Sequence, residues 1–322
     1  METAFFTCST SIRPFPIIAS DGVRNASKVY IHPEFSIFIK RLPVISEDVL
    51  DGAMTMVAAL RSRRMIKSMT FVSVLNELRS RPRSETETVG CLKWWIGVTK
   101  EGINHNVSQE RSQLLDALEV SIAGPPQKTM KLSDAQYFLE SRSSEAIIPT
   151  NGPLPRTLLP TSITCSFDQD TLISSFLWRQ LPIIDWLRYL SDPRVAAANP
   201  EFDVTKSALW AEKVLSVLAR SWPSLTETDK KCVIEILRPM SCIPTSTGLK
   251  VPNQAYFSNA RLFKMSRDLP IVTMPSGTII DGPLELVLQS LRVRKHVELR
   301  IIIDMSVSSV PWSSTRLIWL LG

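Results

Sequence analysis

The sequence predicts an α+β fold that is mostly helical and carries short antiparallel β-hairpins between its helices. Two observations predict this class: apolar residues recur at helical spacing behind helix-start signals, and three short extended stretches are each broken by a glycine-containing turn. A third observation agrees, since 22 prolines and 11 glycines favour many short elements joined by stiff connections. With 44% hydrophobic residues, the 322-residue chain can bury a sizeable core.

Capping residues mark the predicted helix starts. Ser84 with Glu87 and Ser224 with Glu227 fit capping boxes, in which each side chain accepts a hydrogen bond from the backbone N–H of the other residue. A further helix is predicted behind Thr70 from its apolar residues at i, i+3, i+4 and i+7. The helical pattern around residues 205–222 leaves only a narrow polar stripe, so this helix should be buried on most sides.

Three stretches are predicted to form hairpins. They read "PFPIIASDGVRNASKVYI" at residues 14–31, "AIIPTNGPLPRTLLPTSI" at residues 146–163 and "CIPTSTGLKVPNQAYF" at residues 242–257. Each has a proline beside a β-prone pair and then a polar turn. The turn positions, where a left-handed backbone is least costly for glycine, are occupied by Gly22, Gly152 and Gly248.

The recurrence of this device predicts an internal duplication. The first and third copies are each followed by an apolar helical turn and a Leu-Pro pair. We expect a helical unit with an N-terminal hairpin over residues 1–125, a helical unit with two hairpins over residues 126–304, and a separate tail over residues 305–322. Two helices followed by a hairpin, as in residues 205–257, is also the order of a winged helix, so winged-helix-like units remain open.

Positive charge is concentrated in one part of the chain. The net charge is +6, and the local excess lies in residues 61–83, where seven basic residues face Glu77 alone. A basic run of this kind is usually a solvated face between helices. The alternative is a patch that contacts phosphate, formed by Arg61, Arg63, Arg64 and Lys67.

No pattern of residues predicts a catalytic, cofactor or metal site. The sequence lacks the Gly-x-Ser-x-Gly elbow, the phosphate-binding Gly-x-x-x-x-Gly-Lys loop, Gly-x-Gly-x-x-Gly and His-Glu-x-x-His. His296-Val-Glu298 is half of a zinc-deaminase signature, but no Pro-Cys-x-x-Cys follows it. Five cysteines without a C-x-x-C pair indicate reduced thiols in an intracellular protein, cytoplasmic or nuclear. We therefore expect no enzyme activity, no cofactor and no membrane span.

Several strings of the sequence are distinctive, among them "LNELRSRP", "CLKWWI", "IIPTNGPLPRTLLPTSI" and "LELVLQSLRVRKHVEL". They resemble a fungal family of very large sacsin-like proteins, in which a GHKL-type ATPase domain precedes a long region of unknown function; plant No Vein proteins carry a related ATPase. In sacsin-like proteins, Ile-Pro-Thr-x-x-Gly hairpins recur between helices, and Pro244, Thr245 and Gly248 match that habit. The resemblance covers about residues 4–304, and the last 18 residues do not match, so we expect a truncated fragment or a mispredicted gene product.

The resemblance implies a place downstream of the ATPase domain, because the Asp-x-Gly-x-Gly turn and the glycine-rich lid of such ATPases do not occur in this chain. It therefore implies a non-catalytic scaffold in a chaperone-related protein. The expected partners are the rest of the same polypeptide or client proteins, and not a membrane. The alternative is a nucleic-acid-binding, winged-helix-like module that uses the basic residues above.

Overall fold

The computed structural model describes residues 16–19, 21–30, 43–67, 70–100, 107–122, 128–139, 148–257 and 269–296. The chain divides into two compact units: residues 1–146 with 156–181 form the first, and residues 147–155 with 182–322 form the second. The boundary expected at residues 125–126 falls inside the first unit. The tail expected over residues 305–322 lies outside the described residues.

Helices dominate both units, as the sequence predicted. The first unit contains α1 (Glu47–Gly52), α2 (Met54–Ser62), α3 (Phe71–Ser80), α4 (Glu85–Lys100), α5 (Val107–Ala117), α6 (Thr161–Thr164) and α7 (Gln169–Phe176). The second contains α8 (Ile183–Leu190), α9 (Pro193–Ala198), α10 (Ala208–Ser221), α11 (Glu227–Leu237) and α12 (Gly282–Ser290).

The strands of the described segments are short and pair two by two. They are β1 (Pro16–Ala19), β2 (Gly22–Asn25), β3 (Glu119–Ile122), β4 (Lys128–Lys131), β5 (Tyr137–Phe138), β6 (Arg179–Gln180), β7 (Ile243–Thr245) and β8 (Gly248–Lys250). Three pairs are antiparallel, namely β1 with β2, β3 with β4, and β7 with β8; β5 and β6 run parallel. The α+β class with short antiparallel hairpins is therefore confirmed.

The capping predictions have different outcomes. The box at the start of α4 is confirmed, because Ser84 N donates to Glu87 Oε2 (3.0 Å) and Glu87 N donates to Ser84 Oγ (3.2 Å). The box expected at Ser224 is wrong, since that residue ends a 3-10 turn. The cap of α11 is Thr226, whose Oγ1 accepts from Asp229 N (3.1 Å). Ser224 and Thr226 both carry a hydroxyl group, but it is Thr226 that lies at the N-cap position of α11.

The first predicted hairpin leads into a tyrosine that joins two other segments. After β2, a 3-10 turn over Ala26–Lys28 brings the chain to Tyr30. Tyr30 N donates to Pro43 O (2.8 Å), and Ile45 N donates to Tyr30 O (2.7 Å). On its other side, Tyr30 pairs in parallel with Lys67. We call this arrangement of hairpin, 3-10 turn and doubly paired tyrosine the tyrosine unit.

The third predicted hairpin forms a second tyrosine unit with the same bonds. A 3-10 turn over Pro252–Gln254 leads from β8 to Tyr256. Tyr256 N donates to Pro270 O (2.9 Å), Val272 N donates to Tyr256 O (2.8 Å), and Arg294 pairs in parallel on the other side. The Leu-Pro segments noted in the sequence thus have the same role in both copies: they supply the strand beside the tyrosine.

The middle copy exists, but it lies elsewhere than predicted. Residues 148–163 do not form a hairpin; the hairpin is β3 with β4, and a 3-10 turn over Leu132–Asp134 leads from it to Tyr137. Tyr137 N donates to Thr157 O (3.2 Å), Leu159 N donates to Tyr137 O (2.8 Å), and Arg179 pairs on the other side. The predicted middle stretch therefore supplies the strand beside the tyrosine.

Each tyrosine unit closes with a helix, a left-handed residue and a cation. The residues with positive φ that follow the helices are Arg64 (57°) after α2, Leu177 (62°) after α7 and Arg292 (71°) after α12. After the left-handed residue, Met65 N donates to Leu60 O and Val293 N donates to Leu288 O, five residues earlier in each case, while Trp178 N donates to Leu172 O, six residues earlier. Each bond satisfies a free carbonyl of the helix end. The cations over the tyrosine rings are Lys67 at 5.7 Å from the Tyr30 centroid, Arg179 at 5.6 Å from that of Tyr137 and Arg294 at 5.8 Å from that of Tyr256.

The glycines of the predicted hairpins differ in their roles. Gly22 (φ 112°) and Gly248 (φ 98°) have the left-handed backbone that the sequence predicted. Gly152 does not have a positive φ, and it packs against Trp210, where a Cβ would lie 2.6 Å from Cζ2 of the ring. Its role is therefore close approach between the 148–155 segment and α10, which explains why residues 147–155 belong to the second unit.

Two buried clusters form the core of the first unit, and one helix is central to the second. Val57, Leu60 and Ile66 lie with the first hairpin in the smaller cluster, while Trp95 and Trp178 lie in the larger one. In the second unit, α10 contacts β7 and α12, and nine of its fourteen residues are buried. The predicted burial of this helix on most sides is confirmed.

Candidate functional site

An open cleft in the first unit brings together three of the four predicted phosphate-contacting residues. Its volume is about 370 Å3, and it is lined by Tyr30, Arg61, Arg64, Ile66, Lys67 and Ser73. We call it the basic cleft. Arg63 is exposed beside these residues in sequence but is not among those that line the cleft.

Helix ends position the side chains of the basic cleft. Arg61 lies in the last turn of α2, and Arg64 follows it in the left-handed conformation. Lys67 belongs to the strand beside Tyr30, so its ammonium lies over the ring. Ser73 lies in the first turn of α3, where its N–H donates to the capping residue Thr70 (Oγ1, 3.2 Å). The positive end of the α3 dipole therefore adjoins the three cations.

Two further arginines of the basic run, Arg81 and Arg83, have structural roles. Arg81 forms an ion pair with Glu87 (2.6 Å), and this hydrogen bond raises the pKa of Arg81. Arg83 is buried near Glu77 (3.4 Å), and burial lowers the pKa of Arg83. The basic residues between 61 and 83 therefore form two groups. Helix α3 separates the cations that line the cleft from Arg81 and Arg83, which pair with acids.

The three tyrosine units provide an internal comparison for the basic cleft. Counted from the left-handed residue, the positions of Arg61 and Arg64 are occupied by Ser174 and Leu177 in the middle copy and by Gln289 and Arg292 in the third. The equivalents of Lys67 are Arg179 and Arg294, because each of the three donates its N–H to the carbonyl of the residue before the tyrosine. The cation over the tyrosine is common to all three copies, whereas the full set of three cations occurs in the first copy alone. The fold therefore needs Lys67 or its equivalent, and it does not need Arg61 or Arg64.

A second, more apolar cleft adjoins the first through Arg61. Its volume is about 550 Å3, and it is lined by Leu50, Met54, Val57, Ala58, Arg61 and Ser62. Met54 is 65% exposed there, on the face of α2 that is turned away from the core.

His296 and the buried acids of the described residues lie outside the linings of the two clefts. His296 is exposed, and His32 and His105 lie outside the described residues. Within the described ranges, no group of three or more histidines, cysteines or acids is placed to hold a metal ion. The buried carboxylate of Glu212 accepts hydrogen bonds from Ser276 N (2.9 Å), Ser276 Oγ and Thr278 Oγ1 (2.9 Å), so it fixes the loop before α12.

The four described cysteines form no disulfide, and two of them are buried. Burial raises the pKa of Cys91, and it raises the pKa of Cys242 to about 12. At that pKa about one thiol in three thousand is ionised at about pH 8.5, and the thiolate is the form that reacts.

We expect iodoacetamide to modify Cys165, which is exposed, and to leave Cys91 and Cys242 unmodified in the native protein at about pH 8.5. Peptide mass spectrometry after labelling measures the modified fraction at each site. The control is labelling in concentrated guanidinium chloride, where all of them should react. Rapid native labelling of Cys242 would contradict the described burial.

No described helix has the length and apolar character needed to cross a membrane. None of the curated proteins and none of the solved structures matches the chain significantly. One family model matches residues 1–321, which includes most of the tail that the sequence set apart. The chain therefore belongs to the DUF3684 family, described as a protein of unknown function.

Proposed function

We propose that the chain is a non-catalytic scaffold that acts by shape and contact. The observation that carries this proposal is the threefold recurrence of the tyrosine unit, with the same backbone bonds and the same cation over the ring in each copy. Repetition of a packing unit extends a surface for contact, whereas an active site requires different residues to converge once.

The buried acids support the proposal because each is engaged in the fold. The four described buried carboxylates belong to Glu77, Glu87, Asp203 and Glu212. Glu77 and Glu87 pair with arginines, Asp203 accepts from Thr205 N (2.9 Å), and Glu212 holds the loop at Ser276. A general acid or base needs a carboxyl group that faces a cleft and its substrate. None of these four lines the basic cleft or the apolar cleft.

The resemblance to sacsin-like proteins supplies the context of the proposal. We place the scaffold in an intracellular, chaperone-related protein, where it contacts the rest of its own polypeptide or client proteins. Exposed apolar side chains such as Ile18, Val23 and Met54 are available for such contacts in the first unit, and Leu209 and Ile279 in the second.

The experiment combines two assays on the purified chain. It should slow the aggregation of chemically reduced insulin, measured by light scattering, with the same effect in the presence and absence of ATP. It should hydrolyse ATP no faster than a heat-inactivated sample. Hydrolysis above that background would contradict the proposal, and so would unchanged insulin aggregation.

Nucleic-acid binding is the second candidate, and the gathering of Arg61, Arg64 and Lys67 in one cleft is the observation that favours it. The helix–helix–hairpin order of α10, α11, β7 and β8 is also present, but Lys230 on α11 pairs with Glu227 (2.8 Å) and lies over the ring of Trp222. Binding to duplex DNA that weakens steeply with salt, and that is lost on Arg61→Glu with Arg64→Glu, would support this candidate. Flat titrations at low salt would rule it out.

A further inference from the structure

The positive charge of the basic cleft is not neutralised by the described protein. The side chains of Arg61 and Arg64 form no ion pair or hydrogen bond with another described residue, and no acid is among the six residues that line the cleft. Lys67 lies over the Tyr30 ring, which leaves its ammonium without a carboxylate partner in the described part of the chain. Three like charges around one concave space repel each other, and an anion between them removes that cost.

The internal comparison indicates that the tyrosine unit can form without the two arginines. A serine and a leucine occupy the positions of Arg61 and Arg64 in the middle tyrosine unit, which has the same backbone bonds. Packing of the tyrosine unit therefore does not explain Arg61 and Arg64, whereas binding of a ligand by their side chains would.

The size and donors of the cleft fit a phosphate group better than a carboxylate. Guanidinium groups present planar forks of N–H donors that match phosphate oxygens, and Arg61 and Arg64 supply two of them. The start of α3 adds a partial positive charge, and the hydroxyl of Ser73, which shares a hydrogen bond with Thr70 Oγ1 (2.9 Å), lies in the lining. A single carboxylate would leave two of the three cations unneutralised, whereas a phosphate monoester carries about 1.5 to 2 negative charges and pyrophosphate carries more.

We propose that the basic cleft binds a compact phosphorylated ligand through its phosphate monoester or pyrophosphate group, held by Arg61, Arg64 and Lys67. The cleft of about 370 Å3 is open and has room for a compact group. A nucleic-acid duplex instead presents its phosphates as an extended row along a convex backbone. The inference goes beyond the scaffold function and does not depend on it.

The test is calorimetric titration of the full chain with inorganic pyrophosphate at physiological ionic strength. ATP and a short alkyl phosphate are separate arms that distinguish a nucleotide from a lipid-like source of the phosphate. The variant carries Arg61→Ser and Arg64→Leu, the residues that the middle tyrosine unit has at these positions. We expect its affinity for pyrophosphate to fall at least about 30-fold, because two charge-assisted contacts are lost.

The matched control is Arg292→Leu, which removes the arginine at the left-handed position of the third tyrosine unit. It should leave pyrophosphate binding unchanged. If the double variant does not fold by circular dichroism, Arg64→Gly replaces it, since glycine suits the positive φ. The proposal is overturned if pyrophosphate does not bind, if neither cleft variant weakens binding, or if duplex DNA binds much more tightly than every compact phosphate.

Discussion

Replacement of Gly152 by alanine is expected to lower the free energy of unfolding by about 2–3 kcal/mol. The added methyl group would lie 2.6 Å from Cζ2 and 3.1 Å from Cζ3 of Trp210, and closer still to Cη2. Carbon atoms do not approach this closely without strain, so either the ring or the 148–155 segment must move.

Neither of them can move freely. The Trp210 ring packs edge-on against Trp186 (6.4 Å between centroids) and Phe202 (5.0 Å), and the residue is 5% exposed. On the other side, Asn151 Oδ1 accepts a hydrogen bond from Lys213 Nζ (2.7 Å), which ties the segment to the same helix. The added methyl group is therefore expected to disrupt the packing around Trp210 in the second unit and so to lower the free energy of unfolding.

Gly97→Ala is the matched control, since this glycine is inside α4 and its Cβ would have no neighbour within 4 Å. It should stabilise the protein by about 0.5–1 kcal/mol, because alanine is the better helix former. Urea denaturation followed by circular dichroism measures both variants. Equal stability of Gly152→Ala and the parent protein would contradict the close approach of Gly152 to Trp210.

The repeated fold could be predicted from the sequence in outline because two of its three copies share a local signal. Gly22 and Gly248 each precede the unit's tyrosine by eight residues, and both need a positive φ. The middle copy has Thr129 at that position, and its strands β3 and β4 flank a longer connection. The stretch around Gly152, further along the chain, has the same pattern of proline and glycine and was therefore predicted to be the middle hairpin. Its glycine is present for a different reason, which is close packing against α10.

The basic cleft could be predicted in part. Four neighbouring cations were identified from charge, and three line one cleft. Charge alone could not distinguish these cations from Arg81 and Arg83, which form ion pairs. The partners of those two arginines, Glu87 and Glu77, come close to them only when the chain folds. The comparison of tyrosine units, which separates Lys67 from Arg61 and Arg64, requires the correct middle copy and hence the structure.

Replacement of Arg83 by methionine is expected to cost about 3 kcal/mol, the second large effect. The side chain of Arg83 is 1% exposed, that of Glu77 is 7% exposed, and their charged atoms lie 3.4 Å apart. Without the arginine, the Glu77 carboxylate stays buried without its counter-charge. The carbonyl of Glu77 loses the donor Arg83 Nη2 but keeps Ser80 Oγ (2.7 Å), so the lost charge and not that carbonyl accounts for the cost.

The double variant Arg83→Met with Glu77→Leu measures the interaction free energy between the two side chains, apart from the effect of removing either one alone. Arg83 Nε and Nη1 have no hydrogen-bond partner among the described residues. Burial therefore removes these two groups from water without a protein hydrogen bond in exchange, which reduces the net stabilisation from the pair. Joint removal should therefore cost well under 3 kcal/mol, and less than the sum of the two single changes. Urea denaturation of both single variants, the double variant and the parent closes the cycle. Strict additivity would mean that the two buried charges do not stabilise each other.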